Sequence, residues 1–324
     1  MNMKMMKRIS TILLFTVLVG INLNAQSYND VVTAYNEGAK AMQTDVKAAI
    51  GSFEKVIALS DQVGETAADL KKKAMQVLPG LYIKAASATI TEKKTAQETV
   101  NAARQAVAVS EKYGTPANKE NAAKVLVQGY YNMGTEYFSK KDYEKALLAF
   151  DSLLVINPNY ANAIYNKALI FRSQNKATSF EENIDLFIEK VKIANDTVKV
   201  KQASKLALEY FRAAGSQANQ ANKTEDALAM LNKAAKYGDD KDLFYYYADV
   251  YNKQKNYDSG AEYAQKGLAL ETGAAEAKAK FYFQLGLSQA GKGQTTEACA
   301  SFKNSMYGAF AEPSKIQRTN MKCQ

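Results

Sequence analysis

Between residues 127 and 160 large apolar side chains recur at helical spacing in two runs, with a polar break between them. Tyr130, Met133 and Tyr137 fall at i, i+3 and i+7, one stripe of an α-helix. Ser139, Lys140, Lys141 and Asp142 interrupt the period. A second stripe then runs from Tyr143 through Ala146, Phe150 and Leu153. Asn157-Pro158-Asn159 ends it, because the residue before a proline is pushed out of the helical region. Gly134 lies inside the first stripe, where glycine costs about 1 kcal/mol relative to alanine. That cost makes sense where another helix passes too close for a Cβ. Small Ala146 and large Phe150 suit two interdigitated antiparallel helices. One step of about 34 residues later, Ile164, Lys167, Ala168 and Phe171 occupy the places of Tyr130, Met133, Gly134 and Tyr137. A fixed period of this size predicts stacked helical hairpins, each burying its neighbour's apolar face.

This pattern resembles the tetratricopeptide repeat. The family's aromatic, Leu-Gly, Tyr, Ala, Phe, Ala and Pro positions fall on Tyr130, Met133 with Gly134, Tyr137, Ala146, Phe150, Leu153 and Pro158. The likeness extends outward. A unit at 31–64 carries Tyr35, Gly38, Ala49 and Phe53, and one at 78–112 carries Ala103 and Ala106. Unit 161–196 repeats the apolar places, with Ala168 and Phe171. Unit 208–240 has Phe211, Gly215, Ala227, Leu231 and Ala234. Unit 241–274 has Phe244, Ala248, Tyr251, Tyr257, Gly260 and Ala264, and unit 279–312 has Tyr282, Leu285, Gly286, Ala298 and Phe302. The resemblance implies an all-α, right-handed superhelical solenoid of about seven hairpins, with a capping tail at 313–324. Four departures carry further expectations. Three extra residues near Asn175 to Ser179 lengthen a loop. Pro79 kinks a helix or opens a new one after a break at Leu78. Gly114-Thr115-Pro116 stops a helix. The β-branched run Thr197, Val198 and Val200 makes a softer joint near Asn195 to Gln202.

The resemblance also implies a job. The first helices of such hairpins line a concave groove that holds a protein or extended peptide. Tyr35, Tyr131, Tyr165, Tyr245 and Phe283 stand at groove places, with Thr135, Asn166, Arg172, Arg212, Asn219, Asp249 and Asn252 at neighbouring ones. Tyrosine and arginine with flanking amides suit recognition, since they give contact area at low entropy cost. The plainer alternative is that these side chains fill space between hairpins. A scaffold that docks a partner is the leading reading. A binder of envelope polysaccharide and a structural spacer are the alternatives.

Chemistry is sparse. The chain has no histidine, which removes the commonest general base and nitrogen metal ligand and excludes a Ser-His-Asp triad. Two cysteines cannot make a four-cysteine zinc site, and no phosphate-cradling glycine loop is present. No catalytic residue, metal or cofactor is therefore expected. Cys299 is either a small buried apolar residue or the partner of Cys323 in a disulfide.

The first residues bear on location. Lys4, Lys7 and Arg8 precede an apolar run from Ile12 to Ile21, followed by Asn22-Leu23-Asn24-Ala25. A basic start, a short apolar middle and a small residue at the cut describe a secretory signal peptide over 1–25. The run is about half the roughly 20 residues that span a bilayer. The expectation is export to the periplasm or envelope of a Gram-negative bacterium, with no transmembrane segment after cleavage. Loss of the three basic residues lowers the net charge from +9 to +6. That modest, dispersed excess points away from nucleic acid.

Overall fold

The computed structural model describes residues 27–324, so the expected signal peptide lies outside the described residues. Every regular element among these residues is helical. After α1 (27–41) come α2 (Val46–Val63), α3 (Ala68–Thr91), α4 (Ala96–Tyr113), α5 (Pro116–Ser139), α6 (Tyr143–Ile156), α7 (Ala161–Ser173) and α8 (Ala177–Ile193). Then follow α9 (Thr197–Gln220), α10 (Thr224–Ala235), α11 (Lys241–Lys253), α12 (Tyr257–Leu270), α13 (Ala275–Gly291), α14 (Thr295–Asn304) and α15 (Ala311–Asn320). The chain divides into two compact units, 1–170 and 171–324, with the division inside α7. In each unit consecutive helices pack against one another as hairpins.

Local chemistry sets the helix ends. Asp45, Asp142, Asp196, Asp240 and Asn256 each accept a bond from the backbone N–H three residues on, filling one of the donors a helix start leaves open. Thr95 and Glu98, and Thr115 and Asn118, form reciprocal capping boxes. Gly114 ends α4 with φ −86°, so no left-handed backbone requires glycine there. The reason is space, because a Cβ would sit 2.6 Å from the Ser110 carbonyl oxygen.

One turn recurs. Lys141, Asn175, Asn195, Asn222 and Lys255 all have φ between +55° and +60°, two residues before the next helix, and Gly293 takes the same place at +75°. The following N–H reaches the carbonyl five residues back, as in Asp142 to Tyr137 and Asn256 to Tyr251, both 2.9 Å. This is the Schellman closure of a helix end. Asparagine and glycine tolerate that backbone, while a lysine is strained in it. Lys255→Gly should therefore raise stability by about 1 kcal/mol, read as a higher urea midpoint at unchanged slope.

The turns correct one expectation and bear on another. The α7–α8 connector is as short as the α5–α6 connector, so no loop is inserted near Asn175 to Ser179. The 34-residue register runs on from Ala146 and Phe150 to Phe180 and Ile184, and the added length appears as a longer second helix. The β-branched run near Asn195 to Gln202 does not break the helix that follows the turn. Thr197, Val198 and Val200 lie in the first turns of an unbroken 24-residue α9 capped by Asp196. Nearby caps and packing outweigh β-branched propensity. Pro79 lies buried within a continuous α3, without a break at Leu78. The first helices α3, α5 and α9 each have 24 residues. They begin well before the sequence units at 78, 127 and 208.

Within the hairpins, small residues on first helices meet large ones on second helices. A Cβ on Gly134 would lie 2.5 Å from the Phe150 ring, and one on Gly286 would lie 2.8 Å from the Phe302 ring. Ala146, Phe150, Ala168, Ala227, Ala248, Ala298 and Phe302 have no exposed surface, and Tyr130, Gly134, Gly215 and Gly286 are buried. Tyr137, Phe171 and Tyr251 are half-buried. Pro158 is exposed, so it belongs to the turn and not to the repeat core.

The last hairpin of unit 171–324 is closed by α15. Cys299 and Cys323 are disulfide-bonded, with Cα atoms 5.6 Å apart. Cys323 is placed by the same Schellman turn, its N–H bonding the Arg318 carbonyl at 2.9 Å after Lys322 at φ +54°. Arg318 donates to the Cys299 carbonyl at 2.6 Å and to the Gln324 carbonyl at 2.8 Å. Ser305 and Ser314, both fully buried, share a bond of 2.6 Å.

Candidate docking faces

In unit 1–170 the tyrosines at groove places belong partly to the hairpin interior. Tyr35 meets Phe53 edge-on, with ring centres 5.6 Å apart. Tyr131 lies 6.2 Å from Phe150 and 5.4 Å from Tyr160. Tyr165 and Asn166 are half-buried on α7. Arg104, which periodicity did not single out, donates to the Tyr130 hydroxyl from Nη2 at 2.6 Å and from Nε at 3.1 Å.

An open cleft of about 330 Å3 lies between α5 and the α6–α7 turn. Ala123, Val127 and Ile156 give it apolar walls, and Tyr160 closes one side. Gln128 and Asn157 stand at the rim with Glu120 and Lys124. Those two charges pair with each other at 2.7 Å. Gln128 donates to Asn132 Oδ1 at 2.7 Å. Asn157 Oδ1 is taken by the Asn159 N–H at 3.2 Å. Burial raises the Tyr160 phenol above its ordinary pKa, helped by neighbouring Tyr131.

Unit 171–324 is different. Its first helices α9, α11 and α13 are tied together by a polar ladder built from the very residues expected to face a partner. Arg212 forms an ion pair with Asp240 and lies 3.7 Å from Asp242, which accepts from Lys280 at 2.5 Å. Asn219, only 3% exposed, donates to Asp249 Oδ2 at 2.5 Å and accepts from Lys253 at 3.0 Å. The other oxygen of Asp249 accepts from Gln284 Nε2 at 2.9 Å. Asn252 donates to the Gln284 carbonyl and side-chain oxygens, both at 2.9 Å, and accepts from Ser288 at 2.6 Å. Arg212, Asn219 and Asn252 are therefore committed within the unit. Buried polar groups must find partners, and here the nearest are one repeat away. Phe283 is likewise covered, 5.9 Å from Phe302 and 5.4 Å from Phe310. Arg172 stays exposed near Tyr210, whose phenol burial raises and the arginine charge lowers.

The ladder partners Asp240, Asp242, Lys253, Lys280, Gln284 and Ser288 escaped the sequence reading. Their only signal was polar residues set 28–38 positions from Arg212, Asn219, Asp242, Asp249 or Asn252. Asp249→Ala should cost about 2 kcal/mol, because it leaves the Asn219 and Gln284 amides without their acceptor. Asp249→Asn should cost less, and urea unfolding of both variants tests the order.

On the second helices Glu181 accepts from Lys233 at 2.5 Å and Lys236 at 2.7 Å. Burial alone would raise its pKa, but the two lysine bonds outweigh it and hold the carboxyl below its ordinary range. Tyr237 donates to Asp185 at 2.8 Å. Burial first, then that carboxylate, push its phenol upward. Tyr245 is pushed up to about 12, first by burial and then by the Asp249 charge. Tyr82 also reaches about 12, first through burial and then through its 2.5 Å bond to Glu54. The fold holds these phenols neutral, whereas unfolded tyrosine ionises near 10. Their contribution is complete below pH 10 and is lost as pH rises from 10 through about 12. A phenolate absorbance titration should show delayed groups that ionise together with loss of helical circular dichroism.

Residues 127–160 match the tetratricopeptide repeat family. This stretch, the later part of α5 with α6 and the turn after it, is a tetratricopeptide repeat. No curated protein matches the chain. Among solved structures, the MamA protein is similar at 18% identity over 61% of this chain and 96% of its own, with a TM-score of 0.34. A tetratricopeptide repeat protein from Parabacteroides merdae ATCC 43184 has 15% identity over 92% of this chain and 99% of its own, with a TM-score of 0.29. Yeast Tom70 has 16% identity over 91% of this chain and 60% of its own, with a TM-score of 0.31.

Proposed function

We propose that this chain is a non-catalytic interaction scaffold that takes an extended segment of a partner protein, and that it works outside the cytoplasm, in the envelope of a Gram-negative bacterium. The observation that carries the reading is the cleft beside the repeat at 127–160. Its apolar walls of Ala123, Val127 and Ile156, the Tyr160 ring and the rim amides of Gln128 and Asn157 suit one apolar side chain with its flanking peptide groups. Tyr131, Tyr165 and Asn166 are the groove residues of the same unit that extend this contact. Arg212, Asn219 and Asn252 have a structural task instead. The disulfide suits an oxidising compartment, and the basic-then-apolar start of the chain suits export.

Selection of displayed peptides on the immobilised chain tests the cleft. Wild type should enrich peptides with a common apolar anchor, and Ala123→Trp, which fills the cleft, should release them while its circular dichroism stays helical. Equal retention by both proteins would remove the cleft from the reading.

A further inference from the structure

The connector between α8 and α9 carries an exposed aliphatic residue on each of its helical flanks. Ile193 ends α8 and is 70% exposed, and Val198 in the first turn of α9 is 65% exposed. Leu186, two helical turns before Ile193 and so on the same stripe, is exposed as well. Asn195 reverses the chain at φ +56°, and Asp196 caps α9 by accepting from the Lys199 N–H at 3.0 Å. At the turns 221–223, 254–256 and 292–294 the matching flanks are Gln220 and Glu225, Lys253 and Asp258, and Gly291 and Thr296.

Around these aliphatic groups the charge is one-sided. Residues 186–205 hold five lysines, Lys190, Lys192, Lys199, Lys201 and Lys205, against Glu189 and Asp196. Lys199 pairs with Asp196 at 2.8 Å, while Lys190 and Lys205 lie 3.8 Å from Glu189 and Glu209. Lys192 and Lys201, both exposed, have no ion pair among the described residues.

A flexible polyanion would use the lysines and leave Ile193 and Val198 in water. An anionic bilayer surface uses both. Lysine heads sit at phosphate level with their stems against apolar surface, and the aliphatic tips reach the headgroup–acyl boundary. We propose that the α8–α9 knuckle is a peripheral contact for an anionic lipid surface, with Ile193 and Val198 as the inserted groups and Lys192 and Lys201 as the principal charges. No described helix is long and apolar enough to cross a membrane, so the contact is one of lying on, not spanning. The proposal stands independently of the peptide cleft.

The chain has no tryptophan, so Val198→Trp in the full chain gives a single-site reporter, and Leu148→Trp at an exposed position of α6 gives a control. Vesicles of phosphatidylglycerol with phosphatidylcholine should shift the emission of the reporter at 198 to the blue and leave that at 148 unchanged. Pure phosphatidylcholine vesicles and soluble polyphosphate should shift neither. Co-sedimentation with the anionic vesicles should weaken about tenfold in Ile193→Ser with Val198→Ser, about thirtyfold in Lys192→Gln with Lys201→Gln, and steadily with added salt. An unshifted reporter at 198 on anionic vesicles overturns the proposal. So does an equal shift at 148, a shift with polyphosphate, or binding that ignores the Ile193 and Val198 changes.

Discussion

Truncating Phe150 to alanine is expected to cost about 4 kcal/mol. The ring has no exposed surface and sits among Ala146, Leu153, Tyr130 and Ile170 in the main apolar cluster of unit 1–170. It also lies against Gly134, where an added Cβ would be 2.5 Å from its edge. Gly134→Ala should therefore cost about 2 kcal/mol by overpacking, despite alanine's better helix propensity. The two sites share one contact and should not add. With Phe150→Leu in place, Gly134→Ala should lose at least about 0.5 kcal/mol of its penalty. Urea unfolding of the four proteins measures the coupling. Strict additivity would mean that the glycine answers to something other than the ring.

Reduction of the Cys299–Cys323 bond should cost about 3 kcal/mol, given the 24-residue separation it spans. The loss should be local. α15 has only 10 residues and one buried side chain, Ser314. Its remaining holds are the Ser305–Ser314 bond, the Arg318 bridge to the Cys299 carbonyl and the contact of Phe310, just before it, with Phe283. Amides of 311–320 should therefore exchange much faster in reductant, while those of α9 and α11 change little. Cys299→Ser with Cys323→Ser should match the reduced protein and be indifferent to reductant. Identical exchange at 311–320 in both states would show that α15 docks without the bond.

The hairpins were legible in the chain because a helix repeats its environment every few residues, so local periodicity reports burial directly. Tyr130, Ala146 and Phe150 could be placed inside from their spacing alone, and Gly134 could be read as a close approach. The groove chemistry was less legible. Arg212, Asn219 and Asn252 stand at outward positions of their own helices, and nothing nearby in sequence offers them a partner. Asp240, Asp249, Lys253 and Gln284 reach them only when neighbouring first helices pack side by side. The supposed insertion after Asn175 failed for a related reason. Loop and helix look alike in a short polar stretch until the recurring left-handed turn fixes where one ends.

Amphipathic period, capping residues and the small-against-large pairs within a hairpin were thus settled by the amino acids themselves, since each acts within a few turns of chain. Three things waited on tertiary packing: which polar side chains stay free to meet a partner, the joining of two cysteines 24 residues apart, and the crowding of lysines round two exposed aliphatic tips. These depend on groups brought together across helices. Spacing along one helix carries no information about what the next helix sets opposite it.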